Sequence, residues 1–242
     1  MIICKRSYLS ILFCIAVCVG FADGQQAVVD RNAYLVGTQN RKVPPQTGFI
    51  NAYQKVDSIT KFFDTSSDPE TSLLGVLVLT DVAVKLKTNL HIGTLDVYIQ
   101  FYVPKMMANV EVSRAEFADF TAKTEREVNI LIDKNHPENR AARERVLDGL
   151  QQLNGRSDDL EMTQAKNLGT IDKQEQIFST MIASDIVTNE GTSHMLGIRS
   201  FLLVDKRVLY VDSYRRIYSE KDIDPFRDLI KAWTAVVLSA NR

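Results

Sequence analysis

The chain has 242 residues, of which 45% are hydrophobic, 24% charged and 8% aromatic. This balance excludes a disordered chain, a collagen-like fibre and a multi-span membrane protein. Its 29 basic and 30 acidic residues give a net charge of −1. Because nucleic-acid binders normally carry a basic excess, we expect no nucleic-acid partner.

The first 24 residues have the parts of an export signal. Two basic residues precede an apolar stretch over 8–21, and the small residues Ala22 and Gly24 suit cleavage after Gly24, with cleavage after Ala22 a close alternative. The apolar stretch is shorter than the roughly 20 residues that a membrane-spanning helix needs. The sequence therefore predicts a signal peptide over 1–24 and no membrane span after its cleavage.

Two other interpretations of this segment stay open, an uncleaved anchor and a lipoprotein. Lipid attachment at Cys14 or Cys18 is disfavoured because Phe13 and Val17 stand where a small residue is preferred. All three cysteines lie inside the signal, so the mature chain has no disulfide, no thiolate nucleophile and no cysteine metal ligand. We therefore expect an exported protein, either in a bacterial periplasm or secreted.

The mature chain begins with a polar stretch, 25–47, that predicts an extended N-terminal arm or an edge strand. Residues 48–63 predict a strand and then a short helix, and 64–72 have the composition of a loop. The apolar run 73–79 is typical of a strand buried on both faces. No linker divides the rest of the chain, so we expect one domain over 48–242.

Residues 95–103 alternate strictly between apolar and other side chains, which predicts a strand with one buried face. The apolar face consists of Leu95, Val97, Ile99, Phe101 and Val103. The opposite face consists of Asp96, Tyr98, Gln100 and Tyr102.

Two helices are predicted next. Ser113 and Glu116 have the spacing of a capping box, followed by apolar residues at helical spacing as far as Leu131. The break at 135–137 precedes a second helix over 138–153. Three basic residues predict a solvated face on this second helix: Arg140, Arg143 and Arg145.

The last third of the chain returns to strands before a final helix. A strand over 174–187 and a turn over 189–191 precede a hairpin made of 198–204 and 208–218. Asp224 is the predicted N-cap of a terminal helix over 225–240.

The apolar stripe of that helix predicts where it packs, and we expect its Trp233 to be buried against the aliphatic face of the sheet. The stripe consists of Phe226, Leu229, Ile230, Trp233, Val236 and Val237. The elements together predict an α+β fold, with a mainly antiparallel sheet and packed amphipathic helices, including a long C-terminal helix.

No motif for catalysis, for a cofactor or for a metal ion stands out. His91, His136 and His194 are not at metal-ligand spacing, and His194 beside Ser193 lacks a recognisable third member of a triad. The sequence therefore favours a non-catalytic binding or accessory module in the cell envelope, with an unknown protein or small ligand as partner. The alternative is a secreted hydrolase whose carboxylate acid and base come together only on folding.

Tyrosines provide the one suggestive surface. Tyr210, Tyr214 and Tyr218 share a face of the last predicted strand, and two more tyrosines lie on the non-aliphatic face of 95–103. Such a face could stack a ligand while Arg215 or Arg216 pairs an anion; alternatively, the rings simply pack beneath a helix. The candidate ligand or partner surface is Tyr98, Tyr102, Tyr210, Tyr214, Arg216 and Tyr218.

The order of elements resembles that of the exported α/β/α-sandwich proteins grouped as PsbP/Mog1/DcrB-like. The resemblance rests on the capped helix from Ser113, the hairpin over 198–218 and the terminal helix that ends at 236–241. It covers about two thirds of the mature chain and includes no diagnostic motif. It implies an accessory, binding or assembly factor rather than an enzyme, although a fold alone decides little.

Overall fold

The computed structural model describes residues 32–87, 95–154, 161–163, 165–188 and 191–242. The chain divides into two units, Met1–Asp30 and Arg31–Arg242. The predicted signal peptide belongs to the first unit and lies outside the described residues. Within the described ranges, no helix combines the length and the hydropathy that a membrane span requires.

The described residues contain strands and helices in an interleaved order. The strands are β1 (Ala33–Val36), β2 (Gln39–Lys42), β3 (Phe49–Asn51), β4 (Thr71–Leu79), β5 (Val97–Pro104), β6 (Glu161–Met162), β7 (Lys166–Gln174), β8 (Ile177–Thr188), β9 (Gly191–Val204) and β10 (Arg207–Ile217). The helices are α1 (Asp57–Ser66), α2 (Thr80–Lys87), α3 (Arg114–Leu131), α4 (Pro137–Asn154) and α5 (Ile223–Ser239).

One large sheet organises the fold. Its strands follow the order β3-β4-β5-β10-β9-β8, and β6 and β7 both pair with β8, while β1 and β2 form a separate hairpin. Every strand pair within the described residues is antiparallel. The predicted α+β class, the mainly antiparallel sheet and the long C-terminal helix are therefore confirmed.

The hairpin of β9 and β10 sets the register at the centre of the sheet. Asp205 and Lys206 form its two-residue turn, with φ angles of 43° and 64°. Two consecutive positive φ angles match the right-handed twist of a tight hairpin. Val204 therefore pairs with Arg207, and the predicted hairpin is confirmed.

The first face of the sheet is covered by α5 and by the hairpin of β1 and β2. Trp233 is 0% exposed in this core, and its Nε1 donates a hydrogen bond to the carbonyl oxygen of Pro44 at 2.8 Å. The predicted burial of Trp233 is confirmed. Val236 is 49% exposed instead, because it lies at the edge of the apolar stripe.

The start of α5 differs from the prediction. A short 3-10 turn over Glu220–Asp222 runs directly into the helix, which begins at Ile223. Asp222, and not Asp224, is the N-cap residue. The Asp222 carboxylate accepts hydrogen bonds from the backbone N–H groups of Tyr218 and Ser219, which lowers its pKa.

The stretch predicted as an extended arm contains a packed hairpin in its described part. Val36 and Val43 are buried in the core beside α5. Gly37, at φ +61°, lies in the hairpin turn, where an added Cβ would lie 2.3 Å from the carbonyl oxygen of Ala108. The described part of the predicted arm therefore packs on the core, because Val36 and Val43 have apolar partners there. The polar composition of the segment does not indicate these contacts.

The second face carries two separate apolar clusters. One lies beneath α1 and α2 and includes Val76 and Val78 of β4. The other lies beneath the start of α3 and includes Phe117, Phe178 and Phe201. Between them, over β5, β10 and β9, lie side chains that are only partly buried, among them Tyr98, Tyr102 and Arg199.

The capping box at the start of α3 is confirmed. The Ser113 backbone N–H donates to the Glu116 carboxylate at 2.8 Å, and the Glu116 N–H donates to the Ser113 hydroxyl at 3.2 Å. Further along the chain, α4 packs against α1. Arg145, predicted on a solvated face, is consequently half-buried, and its Nε is closed to solvent.

Besides the hairpin of β1 and β2, three further elements were not predicted. α2 follows β4 directly. β6 and β7 lie at the edge of the sheet, and the sequence of β7 has no continuous apolar face. Thr170 and Lys173 of β7 bond to Glu125 of α3, at 2.9 and 2.6 Å. The predicted turn at 189–191 lies partly outside the described residues.

Candidate functional site

Four tyrosines meet on the second face of the sheet. In the register of β5 and β10, Tyr102 lies opposite Tyr210 and Tyr98 lies opposite Tyr214. The rings of Tyr98 and Tyr214 stack with their centroids 5.0 Å apart, and those of Tyr102 and Tyr210 lie 5.6 Å apart. We call these four residues, Tyr98, Tyr102, Tyr210 and Tyr214, the tyrosine surface.

The strand register arranges this face in three rows that cross the sheet. A polar row runs between two rows rich in aromatic rings, because side chains on one face recur at every second residue. The polar row is Thr180, Arg199, Asp212 and Gln100. One flanking row is Phe178, Phe201, Tyr210, Tyr102 and Leu73, and the other is Ile182, Gly197, Tyr214, Tyr98 and Val78.

An ion pair lies at the centre of the polar row. Arg199 donates from Nε and Nη2 to the two carboxylate oxygens of Asp212, at 2.7 and 2.8 Å. The Tyr102 hydroxyl donates to Asp212 Oδ2 at 3.0 Å. The Asp212 side chain is 5% exposed and the Arg199 side chain is 43% exposed, so the acid is held inside while part of the guanidinium faces solvent.

Gly197 makes room for one of the rings. A Cβ added at this position would lie 3.0 Å from the side chain of Ile182 and 3.5 Å from the ring of Tyr214. The absence of a side chain therefore lets Tyr214 lean over β9 towards the polar row. A methyl group here would press on Ile182 and would lie in ordinary van der Waals contact with the Tyr214 ring.

The outer edges of the tyrosine surface are covered, and its middle is half-open. Phe63 of α1 contacts the Tyr98 ring edge-on at 5.5 Å. Phe120 of α3 lies 6.3 Å from the ring of Tyr210. All four tyrosines are half-buried. A helix therefore covers one ring at each edge, while in the polar row between them the Arg199 side chain is partly exposed and Asp212 is buried.

Burial fixes the protonation of these groups. It raises the pKa values of Tyr98, Tyr102 and Tyr214 well above their ordinary value, and the nearby charge of Asp212 raises them further. The pKa of Arg199 is raised mainly by the charge of Asp212. The surface therefore offers neutral phenols and a charged guanidinium, which bind ligands through hydrogen bonds and stacking.

Three hydroxyl groups of the surface have no partner in the protein. Within the part of the chain that the structure describes, the hydroxyls of Tyr98, Tyr210 and Tyr214 make no hydrogen bond, in contrast to that of Tyr102. The Nη1 group of Arg199 also lacks a protein acceptor among those residues. Polar atoms that the protein leaves unpaired are those a ligand can engage.

The remaining residues of the predicted surface lie apart from this group. Tyr218 follows the end of β10, is 70% exposed and donates its hydroxyl to Asp96 at 3.0 Å. The guanidinium of Arg216 lies 5.5 Å from the centre of the Tyr218 ring. Arg215 pairs with Asp222 at 3.2 Å. The expectation of five adjoining rings is therefore wrong, because Tyr218 lies beyond the strand whose alternation joins the others.

Within the described residues, one histidine lies beside a carboxylate. His194 Nδ1 lies 2.8 Å from Asp185 Oδ1, across β9 and β8, where both side chains are substantially exposed. His91 lies outside the described residues. Among the residues that are described, no group of three or more histidine, aspartate or glutamate side chains is placed to hold a metal ion.

Arg199 and Asp212 were not among the predicted site residues. Their signal lies in the hairpin register: once Asp205 and Lys206 form the turn, counting outward along both strands places Arg199 opposite Asp212. An opposite-charge pair flanked by tyrosines would then have been visible. The predicted strands 198–204 and 208–218 leave a three-residue turn. This turn is one residue longer than the one in the structure and does not place Arg199 opposite Asp212.

Comparison with known proteins adds little. No protein-family model matches the chain, and no curated protein matches it. Among solved structures, the crystal structure of the Ran-binding protein Mog1p from Saccharomyces cerevisiae is similar at 10% identity and a TM-score of 0.27, covering 86% of this chain and 89% of that one. The chain thus has a weak fold-level resemblance to that protein, and a TM-score this low supports no conclusion about function.

Proposed function

We propose that this chain is a non-catalytic binding module that recognises a protein partner or a small ligand through the tyrosine surface. The observation that carries the proposal is the Arg199–Asp212 ion pair, held between two pairs of tyrosine rings with three hydroxyls unpartnered. The hydroxyls of Tyr98, Tyr210 and Tyr214 are not among the polar atoms closed to solvent, so a ligand can reach them and replace the water that they would otherwise bind.

The chemistry of the surface defines what it can bind. Asp212 neutralises Arg199, so the centre carries no excess charge. Tyrosine rings supply flat apolar area, and their protonated hydroxyls both donate and accept hydrogen bonds. A planar, uncharged polar group satisfies these requirements, as in a backbone amide or an amide side chain of a peptide. This also fits the expectation of no nucleic-acid partner.

Removal of the three unpartnered hydroxyls tests the proposal. The variant Tyr98→Phe/Tyr210→Phe/Tyr214→Phe keeps the rings and breaks no hydrogen bond that the structure shows. We expect its thermal unfolding to match that of the wild type, while it loses the partner that the immobilised wild type retains from an extract of its source cells. Tyr218→Phe, outside the tyrosine surface, is the control and should retain that partner. Equal retention by the triple variant and the wild type would rule out this surface as the binding site.

The location is part of the proposal. We propose that the chain is exported to a bacterial periplasm or secreted, after cleavage close to Gly24. The support is the order of basic, apolar and small residues over 1–24. The intact mass of the native protein tests it, because cleavage predicts a chain that starts at Gln25, or at Asp23 if cleavage follows Ala22. A native chain that still starts at Met1 would contradict cleavage.

A further inference from the structure

A second site lies beyond the covered edge of the tyrosine surface. An open cleft of about 380 Å³ forms where the end of α1 meets α4 and the ends of β4 and β5. Phe63 forms part of its wall and contacts the ring of Tyr98. The volume lies within the range of pockets that hold small molecules.

A positively charged side chain lines the cleft. Arg145 of α4 lines it, and the Nε atom of this residue is closed to solvent without a hydrogen-bond partner. Across the described part of the chain, no carboxylate forms an ion pair with Arg145. Nε itself is closed to solvent, so a ligand can reach only the two Nη groups, which have no hydrogen-bond partner among the described residues. A carboxylate can accept from both of them in a bidentate geometry.

The mouth of the cleft carries negative charge. Asp64 and Asp68 are both exposed there. Asp64 Oδ1 accepts the hydroxyl of Tyr53 at 2.7 Å, and Asp68 Oδ1 accepts the N–H of Glu70 at 2.9 Å. Each carboxylate keeps its second oxygen for a cation. Lys105, also at the mouth, donates to the carbonyl oxygen of Pro69 at 2.6 Å.

An aromatic ring is the third chemical feature of the cleft, after the guanidinium and the carboxylates. Tyr53 lines the cleft, and burial together with the bond to Asp64 raises the pKa of Tyr53 to about 12, while Phe63, only 2% exposed, lies in the wall. The Tyr53 hydroxyl therefore stays protonated and holds Asp64 in place. The cleft combines a cation inside, anions at the mouth and aromatic surface beside them.

We propose that this cleft binds a free α-amino acid with an aromatic or large apolar side chain. The ligand carboxylate pairs with the Arg145 guanidinium, its ammonium group lies between Asp64 and Asp68, and its side chain packs on Tyr53. A simple anion would satisfy Arg145 but would meet two carboxylates at the mouth. A simple cation would leave Arg145 unpaired. This site is independent of partner binding at the tyrosine surface.

Calorimetric titration of the purified wild type tests the proposal. The probes are L-phenylalanine, L-tyrosine, L-tryptophan and L-leucine, each compared with its N-acetyl derivative and its methyl ester. We expect at least one free amino acid to bind, and both of its blocked derivatives to bind at least tenfold more weakly. If no free amino acid binds, or if a blocked derivative binds as well as the free one, the proposal is overturned.

Matched variants locate the site. Arg145→Met should weaken the binding of the amino acid at least tenfold, whereas Arg140→Met, an exposed position on the same helix, should leave it unchanged. Asp64→Asn keeps an acceptor for Tyr53 and should weaken the free amino acid more than its N-acetyl derivative, which has no ammonium group. Circular dichroism establishes that each variant is folded. Unchanged binding in folded Arg145→Met, or in Asp64→Asn if Arg145→Met does not fold, would overturn the proposed site.

Discussion

Arg199 and Asp212 lie directly opposite each other in β9 and β10 and share two hydrogen bonds, at 2.7 and 2.8 Å. The pair lies on the face of the sheet that α1 and α3 cover only at its sides, between two pairs of tyrosine rings. An ion pair in the middle of a sheet face interrupts apolar packing. The recognition role proposed above would give this pair a function.

The first prediction concerns the unequal burial of this pair. Arg199→Met leaves the enclosed Asp212 carboxylate with only the Tyr102 hydroxyl as a side-chain donor, which should lower the free energy of unfolding by about 1–3 kcal/mol. The double variant Arg199→Met/Asp212→Leu removes both charges and should be more stable than Arg199→Met alone. Urea unfolding measures both values. A double variant less stable than the single one would show that the pair is not coupled in this way.

Trp233 provides a second prediction. Trp233→Ala removes a fully buried ring from beneath α5 and its hydrogen bond to Pro44, and should cost about 3–5 kcal/mol in chemical unfolding. A loss below about 1 kcal/mol would mean that α5 does not dock on the sheet as described. Val236→Ala, at an exposed position of the same helix, is the matched control and should cost far less.

The alkaline limit of stability gives a third prediction. The pKa values of Tyr98, Tyr102 and Tyr214 are raised in the folded protein, so an unfolded chain loses these protons first as the pH rises above about 10. Stability should therefore be fully retained below pH 10 and should fall above it.

Melting temperatures measured between pH 8 and 12 test this dependence. Tyr214→Phe cannot ionise at this position, so its melting temperature should fall less steeply above pH 10 than that of the wild type. Absorbance at 295 nm should show a group of tyrosines that ionise only on unfolding. The same dependence on pH in the variant and the wild type would contradict the account.

A pair of glycines tests how the N-terminal hairpin docks. Gly37→Ala places a methyl group against the backbone of Ala108 and forces alanine to φ +61°, whereas Gly48→Ala, at φ +81°, meets no atom within 4 Å. Both variants should be destabilised by about 1 kcal/mol for the backbone conformation alone. Gly37→Ala should lose clearly more, as measured by urea unfolding. Equal losses would mean that the hairpin turn does not contact Ala108.

Local patterns in the sequence were sufficient for much of this fold. The alternation over 97–103, the capping box at Ser113 and the apolar stripe around Trp233 each state a period or a cap, and the structure confirms all three. Leu95 was predicted on the same face as Val97, but it precedes β5 and packs with the cluster beneath α1 and α2. The hairpin of β1 and β2 was missed because its stability comes from long-range contacts of Val36 and Val43 with the core. A polar segment with two such contacts has no local signature.

The candidate site was predictable only in part. Alternation placed Tyr210 and Tyr214 on one face, but the contact with Tyr98 depends on β5 pairing with β10, two strands separated by more than a hundred residues of chain. The cleft at Arg145 was not predictable, because nothing local to α4 indicates that it packs on α1. Local periodicity identifies faces, and long-range pairing decides which faces meet.

The most direct test of the account is hydroxyl-radical footprinting of the protein with and without the partner captured by the wild type. The tyrosine surface predicts that binding protects Tyr98, Tyr102, Tyr210 and Tyr214 from oxidation, while Tyr53 and the exposed Tyr218 keep their reactivity. Protection confined to other parts of the chain, with the four tyrosines unchanged, would contradict the claim that this surface is the binding site.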